Sequence, residues 1–400
     1  SGARELITWV PSFQKPVLDA LGERPLPRQK PDERLPEEVV KRVFGNRLKL
    51  SYSQISLYQN CPFHYFLEKT LKIRPLEPVT FDAANIGTFI HYGMEQLIKA
   101  VRADNFDYNL YTSEKIQQFG SKLARQYLED QLRDFNLSNR FSALFERMTR
   151  LFCLVGENVI GELREGQYRP VGEEVSLAGV SLPLSKGRQV ELIGSIDRVD
   201  VLETGGKSYL KVTDYKTGAQ SFDLRGITNR DGVQLPLYLY ALVKSGRWKQ
   251  PVPAAGCYME AHLPSFSEPV TPEQLPEKIR SFYRRRGAFT QDETALAGLD
   301  ANRGGNYFKL AYTKDGALKK EVKAYEPPLL NEMIGYMETV VCETAEGIFS
   351  GEAAVRPLKG RDHDACRFCR YAAVCHYDQE QDEKRLYREE PFGWREEKKQ

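Results

Sequence analysis

The chain has 400 residues, enough for one large or two ordinary domains, and 41% hydrophobic with 28% charged residues is a globular balance able to bury a sizeable core. A net charge of +2 is too mild to indicate nucleic acid by itself and does not oppose it. No apolar run reaches the length of a membrane span and no signal peptide is visible. Seven cysteines, four of them in a metal-like arrangement, indicate a reducing, cytoplasmic compartment rather than a disulfide framework.

The chain begins Ser-Gly-Ala without a methionine and reads as a fragment. Residues 1 to about 45 are rich in proline and charge, and are expected to form an extended arm with a short helix near Glu37 to Phe44. In the stretch SYSQISLYQNCPFHYFLEK, Ser51 or Ser53 caps a helix expected to end near Asn60. Cys61-Pro62 breaks it, and an aromatic helix resumes. Cys61 alone is either a small buried hydrophobe or a metal ligand, and His64 reads as a packed or surface histidine.

Ala83 to Val101 is expected to be helical, because Ile86, Phe89, Ile90, Gly93, Leu97 and Val101 form one stripe at the 3.6-residue period. His91 stands roughly 120° from the centre of that stripe, at ~100° per residue, with Gly87 one turn earlier on the same side. Such a histidine gains meaning only from what lies opposite it. Residues 105 to 165 continue as helices, with Leu144, Met148, Leu151, Phe152 and Val155 as an apolar stripe and Cys153 expected in the core. Tyr168 to Leu184 reads as strands, and Glu173 and Glu174 are edge charges or acids facing a site.

Gln189 to Gly218 carries the densest chemistry and reads as a β-hairpin. On its second strand Leu210, Val212, Asp214 and Lys216 share a face; on the first, Ile193, Asp197 and Val199 are in one phase. Gly205 and Gly206 fold the strands back, which sets Asp197 opposite Thr213 or Asp214. Two acids and a lysine then meet just past an apolar strand anchor, a rarer pattern than a hairpin with surface charges.

A polar loop to Asp231 leads into a helix, Val233 to Val243, where Pro236 is tolerable only in the first turns and Gln234 and Tyr238 share a face. Both are polar residues at a core edge or groups reaching the strand ends. The strand AAGCYMEAHL follows, burying Cys257. Arg284-Arg285-Arg286 is expected to be a solvated face able to meet phosphate. Asn331 to Phe349 is an amphipathic helix with Cys342 in its core, and the tail past Asp382 reads as solvated or helical.

Cys366, Cys369 and Cys375 have C-x2-C-x5-C spacing, and three thiolates need a fourth ligand, Cys61 or His376. Four thiolates suit iron–sulfur; three thiolates with one imidazole suit zinc. Gly206-Lys207-Ser208 resembles the end of a phosphate-binding loop, but the required earlier glycine falls on Val201. Nor does the sequence contain a G-x-S-x-G, zinc-protease or Rossmann fingerprint.

Together these motifs resemble the RecB-type branch of the PD-(D/E)xK nuclease superfamily. The matches are GTFIH (Gly87 to His91), GSIDR (Gly194 to Arg198), DYKTG (Asp214 to Gly218) and QLPLY (Gln234 to Tyr238), in the family's order. With one early cysteine and a late triplet, the layout is similar to the iron–sulfur staple nucleases: AddB proteins, CRISPR-adaptation nucleases and eukaryotic flap-processing helicase–nucleases. The stretch from Leu35 to Ile73, RRRGAFTQDE and the triplet are most similar to the AddB family, whose larger chain carries a helicase-like portion ahead of this region. The resemblance covers about residues 36 to 378.

The resemblance implies a restriction-endonuclease-like α/β core over residues 46–400: a central mixed sheet flanked by helices, stapled by a [4Fe–4S] cluster on Cys61, Cys366, Cys369 and Cys375. It implies that His91, Asp197, Asp214 and the Tyr215 carbonyl hold Mg²⁺ or Mn²⁺, hard ions suited to oxygen ligands. Lys216 would orient the attacking water and offset developing charge, Gln234 and Tyr238 would position the lysine or the DNA, and Glu174 or Glu173 would add a further acid. The implied function is metal-dependent hydrolysis of DNA at duplex ends and single strands in recombinational repair, with an AddA-like helicase–nuclease partner and no membrane. The alternatives are a free-standing exonuclease of the CRISPR-adaptation type and a DNA-end binding module with a vestigial site. The presence of every motif residue disfavours the vestigial site.

Overall fold

The computed structural model describes residues 34–74, 83–131, 139–218, 220–375, 377–380 and 382–389. Most of the expected arm, 1–33, and the candidate ligand His376 lie outside the described residues. The short helix expected before Asn46 forms as α1 (Glu37–Phe44), buries Val40, and leads into β1 (Arg47–Leu50).

Ser51 starts α2 (Tyr52–Asn60) by a reciprocal cap. Its Oγ accepts from the Gln54 N–H at 3.3 Å, and its own N–H donates to Gln54 Oε1 at 2.8 Å. Cys61 is extended at φ −162°, as the residue before a proline should be, and a short helix Pro62–Tyr65 follows. The helical region holds α3 (Ala83–Ala103), α4 (Ser113–Gln131) and α5 (Asn139–Glu165). The apolar stripe read on α3 is buried: Phe89, Ile90, Leu97 and Val101 pack with Met148, Phe152 and Val155 of α5. Cys153 departs from expectation and is only half-buried.

Next come β2 (Arg169–Ser176), β3 (Ser181–Pro183), β4 (Gln189–Leu192), β5 (Ser195–Thr204) and β6 (Lys207–Lys216). Then follow α6 (Gln234–Lys244), β7 (Pro251–Glu260), α7 (Leu275–Phe282), β8 (Arg286–Thr290), β9 (Ala324–Tyr325) and α8 (Pro327–Phe349). The polar loop before α6 contains an unforeseen short helix, Leu224–Asn229, capped by Asp223. Short strands β10 (Leu358–Lys359) and β11 (Arg385–Leu386) pair in parallel, so the charged tail past Asp382 first forms a strand.

The main sheet has the order β2-β5-β6-β7-β8-β9; β6/β7 and β8/β9 are parallel, and the other pairs antiparallel. It is the expected mixed sheet, flanked by helices on both faces. Strand alternation sends Val199, Val201, Leu210 and Val212 to a core shared with α6 and α8, and Tyr215 and Met259 to the core of α3 and α5. Each such buried side chain contributes about 1.5–3 kcal/mol. Cys257 is fully buried as expected, whereas Cys342 on α8 is half-buried.

The hairpin differs from the reading in one respect. Gly194, at φ +121°, separates β4 from β5, and β4 joins β1 and β3 in a separate sheet. Ile193 therefore does not continue the strand of Asp197. The turn is as expected: Gly205 and Gly206 both have positive φ, and Thr204 pairs with Lys207.

Beneath the sheet lies an ionic network that the motif reading did not foresee. Glu162 of α5 accepts two bonds of 2.8 Å from Arg198 and meets Arg285 at 2.6 Å and Lys211. Asp200 pairs with Arg198 and Lys211, each at 2.9 Å. All five are buried, so Arg285 leaves the solvated face assigned to it. Burial alone would push the Glu162 carboxyl up, but Arg198, Arg285 and Lys211 hold it well below the usual range.

Candidate active site

The hairpin register decides the site. Arg198 lies opposite Thr213, so the next residues out, Asp197 and Asp214, are neighbours across β5 and β6. The Tyr215 N–H donates to Asp197 Oδ2 at 2.7 Å, tying the acid of one strand to the backbone of the other. Asp214 is almost wholly buried; Lys216, two residues on along the same face, reaches back to it with Nζ at 2.6 Å from Oδ2. That oxygen has this ion pair but no well-directed hydrogen bond.

Helix α3 supplies the histidine. His91 Nδ1 is 3.2 Å from Asp197 Oδ2, and its ring meets Tyr215 edge-on at 5.9 Å. Gly87 lets the helix come this close, since a Cβ there would lie 2.8 Å from Thr217 Cγ2 of the DYKTG segment. Burial opposes a charge on His91, but the hydrogen bond and charge of Asp197, with Asp214 and Glu174, outweigh it and raise its pKa.

Helix α6 supplies the second support. Gln234 Nε2 donates to Asp214 Oδ1 at 2.7 Å and to the Tyr238 hydroxyl at 3.0 Å. Pro236 sits in the first turn, where no helical bond is lost. Burial, then the charge of Asp197, pushes Asp214 up to about 7, with Lys216 and His91 opposing.

The adjacent glutamates divide. Glu174, at φ +47° on β2, brings an oxygen to His91 and Asp197, one atom from each of the three lying within 4.8 Å of the others; Ser195 Oγ donates to it. Glu173 turns away to Arg102, at 3.3 Å. The antiparallel register, with Glu173 at Arg198 and Val175 at Ile196, sets Glu174 beside Asp197. No one-dimensional signal separates these two acids. Asp214 stands outside the 4.8 Å group, its carboxylate held by Lys216 and Gln234. The one imidazole and two carboxylates of His91, Glu174 and Asp197 are a donor set that fits a divalent cation preferring oxygen.

Four of the cysteines meet elsewhere. Cys61, Cys366, Cys369 and Cys375 line one cavity with His64 and Tyr371. His64, read as merely packed or on the surface, has Nδ1 3.9 Å from Cys369 Sγ. Burial raises the Cys366 thiol to about 11, with Asp364 and the neighbouring thiols adding to the shift against Lys359. A charge-stabilising partner is thus needed before Cys366 becomes a thiolate.

The model of the PD-(D/E)XK nuclease superfamily matches residues 49–376, a stretch that contains all of these groups. The chain belongs to the PD-(D/E)XK nuclease superfamily. It is also similar to bacterial proteins named as a subunit of an ATP-dependent helicase/deoxyribonuclease. The one from Clostridium acetobutylicum is 25% identical over 356 residues, covering 86% of this chain and 31% of that protein. The one from Symbiobacterium thermophilum is 28% identical over 360 residues, covering 85% and 30%. The chain thus spans about a third of the length of the curated relatives it matches. Asp197 near the start of β5 and Asp214 and Lys216 at the end of β6 lie within the matched stretch.

Proposed function

We propose that the chain is the nuclease part of an AddB-like helicase–nuclease protein, hydrolysing DNA phosphodiesters with Mg²⁺ or Mn²⁺ during processing of duplex ends for recombinational repair. The observation that carries this reading is the convergence of His91, Asp197, Asp214 and Lys216 at one strand end. His91, Asp197, Asp214 and the Tyr215 carbonyl would hold the cation, with Glu174 beside them. When bound there, a divalent cation would supply polarisation of the scissile phosphate and a lower pKa for the attacking water. Lys216, whose ammonium lies 2.6 Å from Asp214 Oδ2, would orient that water and offset charge developing on the phosphate. Gln234 fixes the Asp214 rotamer, and Tyr238 orients the Gln234 amide, so the lysine is held through two links.

We read residues 46–400 as one nuclease domain and infer that Cys61, Cys366, Cys369 and Cys375 hold a [4Fe–4S] cluster. Four sulfur donors around one cavity support this reading. The partners are DNA and an AddA-like protein, a reading supported by the names of the relatives. No helix among the described residues is long and apolar enough to cross a membrane, and the cysteine usage supports a cytoplasmic setting.

The test is cleavage of duplex DNA carrying 5′- or 3′-labelled strands by the purified chain. Cleavage that requires Mg²⁺ or Mn²⁺, and is lost in Asp214→Ala and Lys216→Ala proteins that still fold and bind DNA, is the expected result. Binding without any cleavage would return the chain to an end-binding role.

A further inference from the structure

The Arg284-Arg285-Arg286 run splits by strand alternation. Arg285 points into the buried network, while Arg286, the first residue of β8, takes the opposite face and Arg284, just ahead of the strand, bonds to the Gly305 carbonyl and the Ser281 hydroxyl. That face is the one carrying the catalytic acids. Asp214 pairs with Tyr258 of β7, and Tyr258 with Arg286 of β8. Arg285 then bridges Phe308 in parallel, with the Lys309 N–H donating to the Arg285 carbonyl at 2.8 Å, so Lys309 stands next to Arg286. One row across the sheet therefore reads Asp197, Asp214, Tyr258, Arg286, Lys309. At ~4.8 Å per strand step, Arg286 lies roughly 10 Å from Asp214 and Lys309 roughly 14 Å. A stacked strand, rising ~3.4 Å per nucleotide, covers that distance in a few nucleotides.

The cations of this row exceed the anions available to them. Arg286 pairs with Glu260 at 2.6 Å, and His262 shares the same carboxylate at 2.8 Å. The Nε atoms of Arg284 and Arg286 are buried without a hydrogen-bond partner. Lys309 is exposed, and among the described residues its ammonium has no ion-pair or hydrogen-bond partner. Burial and the charges of Arg286, Arg284 and Lys323 hold it below its usual range, with Glu260 opposing. Lys323, on the same side, donates to the Phe222 carbonyl. The Tyr258 ring floors the interval between acids and cations, with Lys216 Nζ 5.9 Å from its centre.

We propose that Arg286 and Lys309, backed by Arg284 and Lys323, bind backbone phosphates of the DNA strand a few nucleotides from the scissile bond. This assignment rests on the DNA-cleaving reading above. It makes β7 and β8 a track along which the substrate strand lies, with phosphate contacts that position the strand and carry no sequence preference.

The test is binding of a fluorescent single-stranded oligonucleotide to the full chain without divalent cation, so that nothing is cut, across a KCl series. Lys309→Ala and Arg286→Ala should each weaken binding roughly three- to tenfold and lower the slope of log affinity against log salt by about one. Lys309→Glu should weaken it further, while Lys41→Glu, on exposed α1, should not. Lys309 variants decide the matter if Arg286→Ala fails to fold, because among the described residues the Lys309 ammonium holds no other group. Unchanged affinity and slope in the Lys309 variants, or an equal loss in Lys41→Glu, would overturn the phosphate track while wild-type cleavage still upheld the nuclease reading. Normal binding with the expected Lys309 effect but no metal-dependent cleavage would uphold the track and remove the nuclease reading. No wild-type binding to DNA would overturn both.

Discussion

The Gln234 side chain donates to Asp214 Oδ1 across 2.7 Å, linking the first turn of α6 to the last residues of β6. The acid is thereby held from a helix 20 residues further along the chain, and its remaining oxygen is left to Lys216. Gln234→Leu should leave a buried carboxylate oxygen unpaired, at a cost of about 1–3 kcal/mol. The loosened Asp214 and Lys216 should slow cleavage at saturating DNA by about 100-fold. Denaturant titration and single-turnover cleavage check the two effects. Wild-type turnover with lowered stability would leave Gln234 a purely structural residue.

Asp214 titrates near 7 in the folded chain, above its ordinary value of 3.8, because it is buried beside Asp197. The folded state therefore holds the proton more tightly than the unfolded one. Its stabilising contribution is complete below the unfolded value and is lost as pH rises through about 7. A cation needs the ionised carboxylate, so its binding works in the opposite sense and releases a proton. Melting curves with and without Mn²⁺ should show a small stabilisation at acid pH that grows as pH rises through 7. Asp214→Asn should flatten that growth; an unchanged pH profile in this variant would remove Asp214 from the metal site.

Three buried cations, Arg198, Lys211 and Arg285, share two carboxylates, Glu162 and Asp200, a formal excess of one positive charge (3 − 2). Glu162→Gln should therefore destabilise by about 3–5 kcal/mol, since it strands charges that cannot reach water. Lys211→Met removes the excess charge and should cost clearly less. Urea unfolding of the two variants gives the order; equal losses would mean that the network responds to lost hydrogen bonds rather than to charge.

Cys61 and Cys366 are 305 positions apart (366 − 61) and line the same cavity. Joining them through a cluster closes most of the domain into one loop, worth about 5 kcal/mol by analogy with a long disulfide loop. Cys→Ala at any of the four positions should lower stability and DNA-end binding together. Iron and sulfide analysis with visible absorbance checks the cofactor. A colourless, folded protein with stoichiometric zinc, made with ample iron, would overturn the cluster assignment.

Local chemistry was legible in one dimension. The stripe of α3, the Ser51 cap, the break at Cys61-Pro62, the glycine turn and the pairing of D-x-K on one strand face all follow from short-range geometry, so residue types and spacing suffice to read them. The same holds for Gln234 and Tyr238, which share a helix face. Only the tertiary structure could decide what those faces meet. Glu174 and not Glu173 joins His91 and Asp197 because an antiparallel partner strand sets the register, and the two glutamates are indistinguishable until that partner is known. Gly194 ended a strand that apolar alternation would have continued, because its positive φ turns the chain into a second sheet. Arg285 and Arg286 look alike in sequence, yet strand alternation buries one with Glu162 and aligns the other with Asp214. A charge's meaning depends on what lies across the sheet or under the helix, and those partners come from distant positions in the chain.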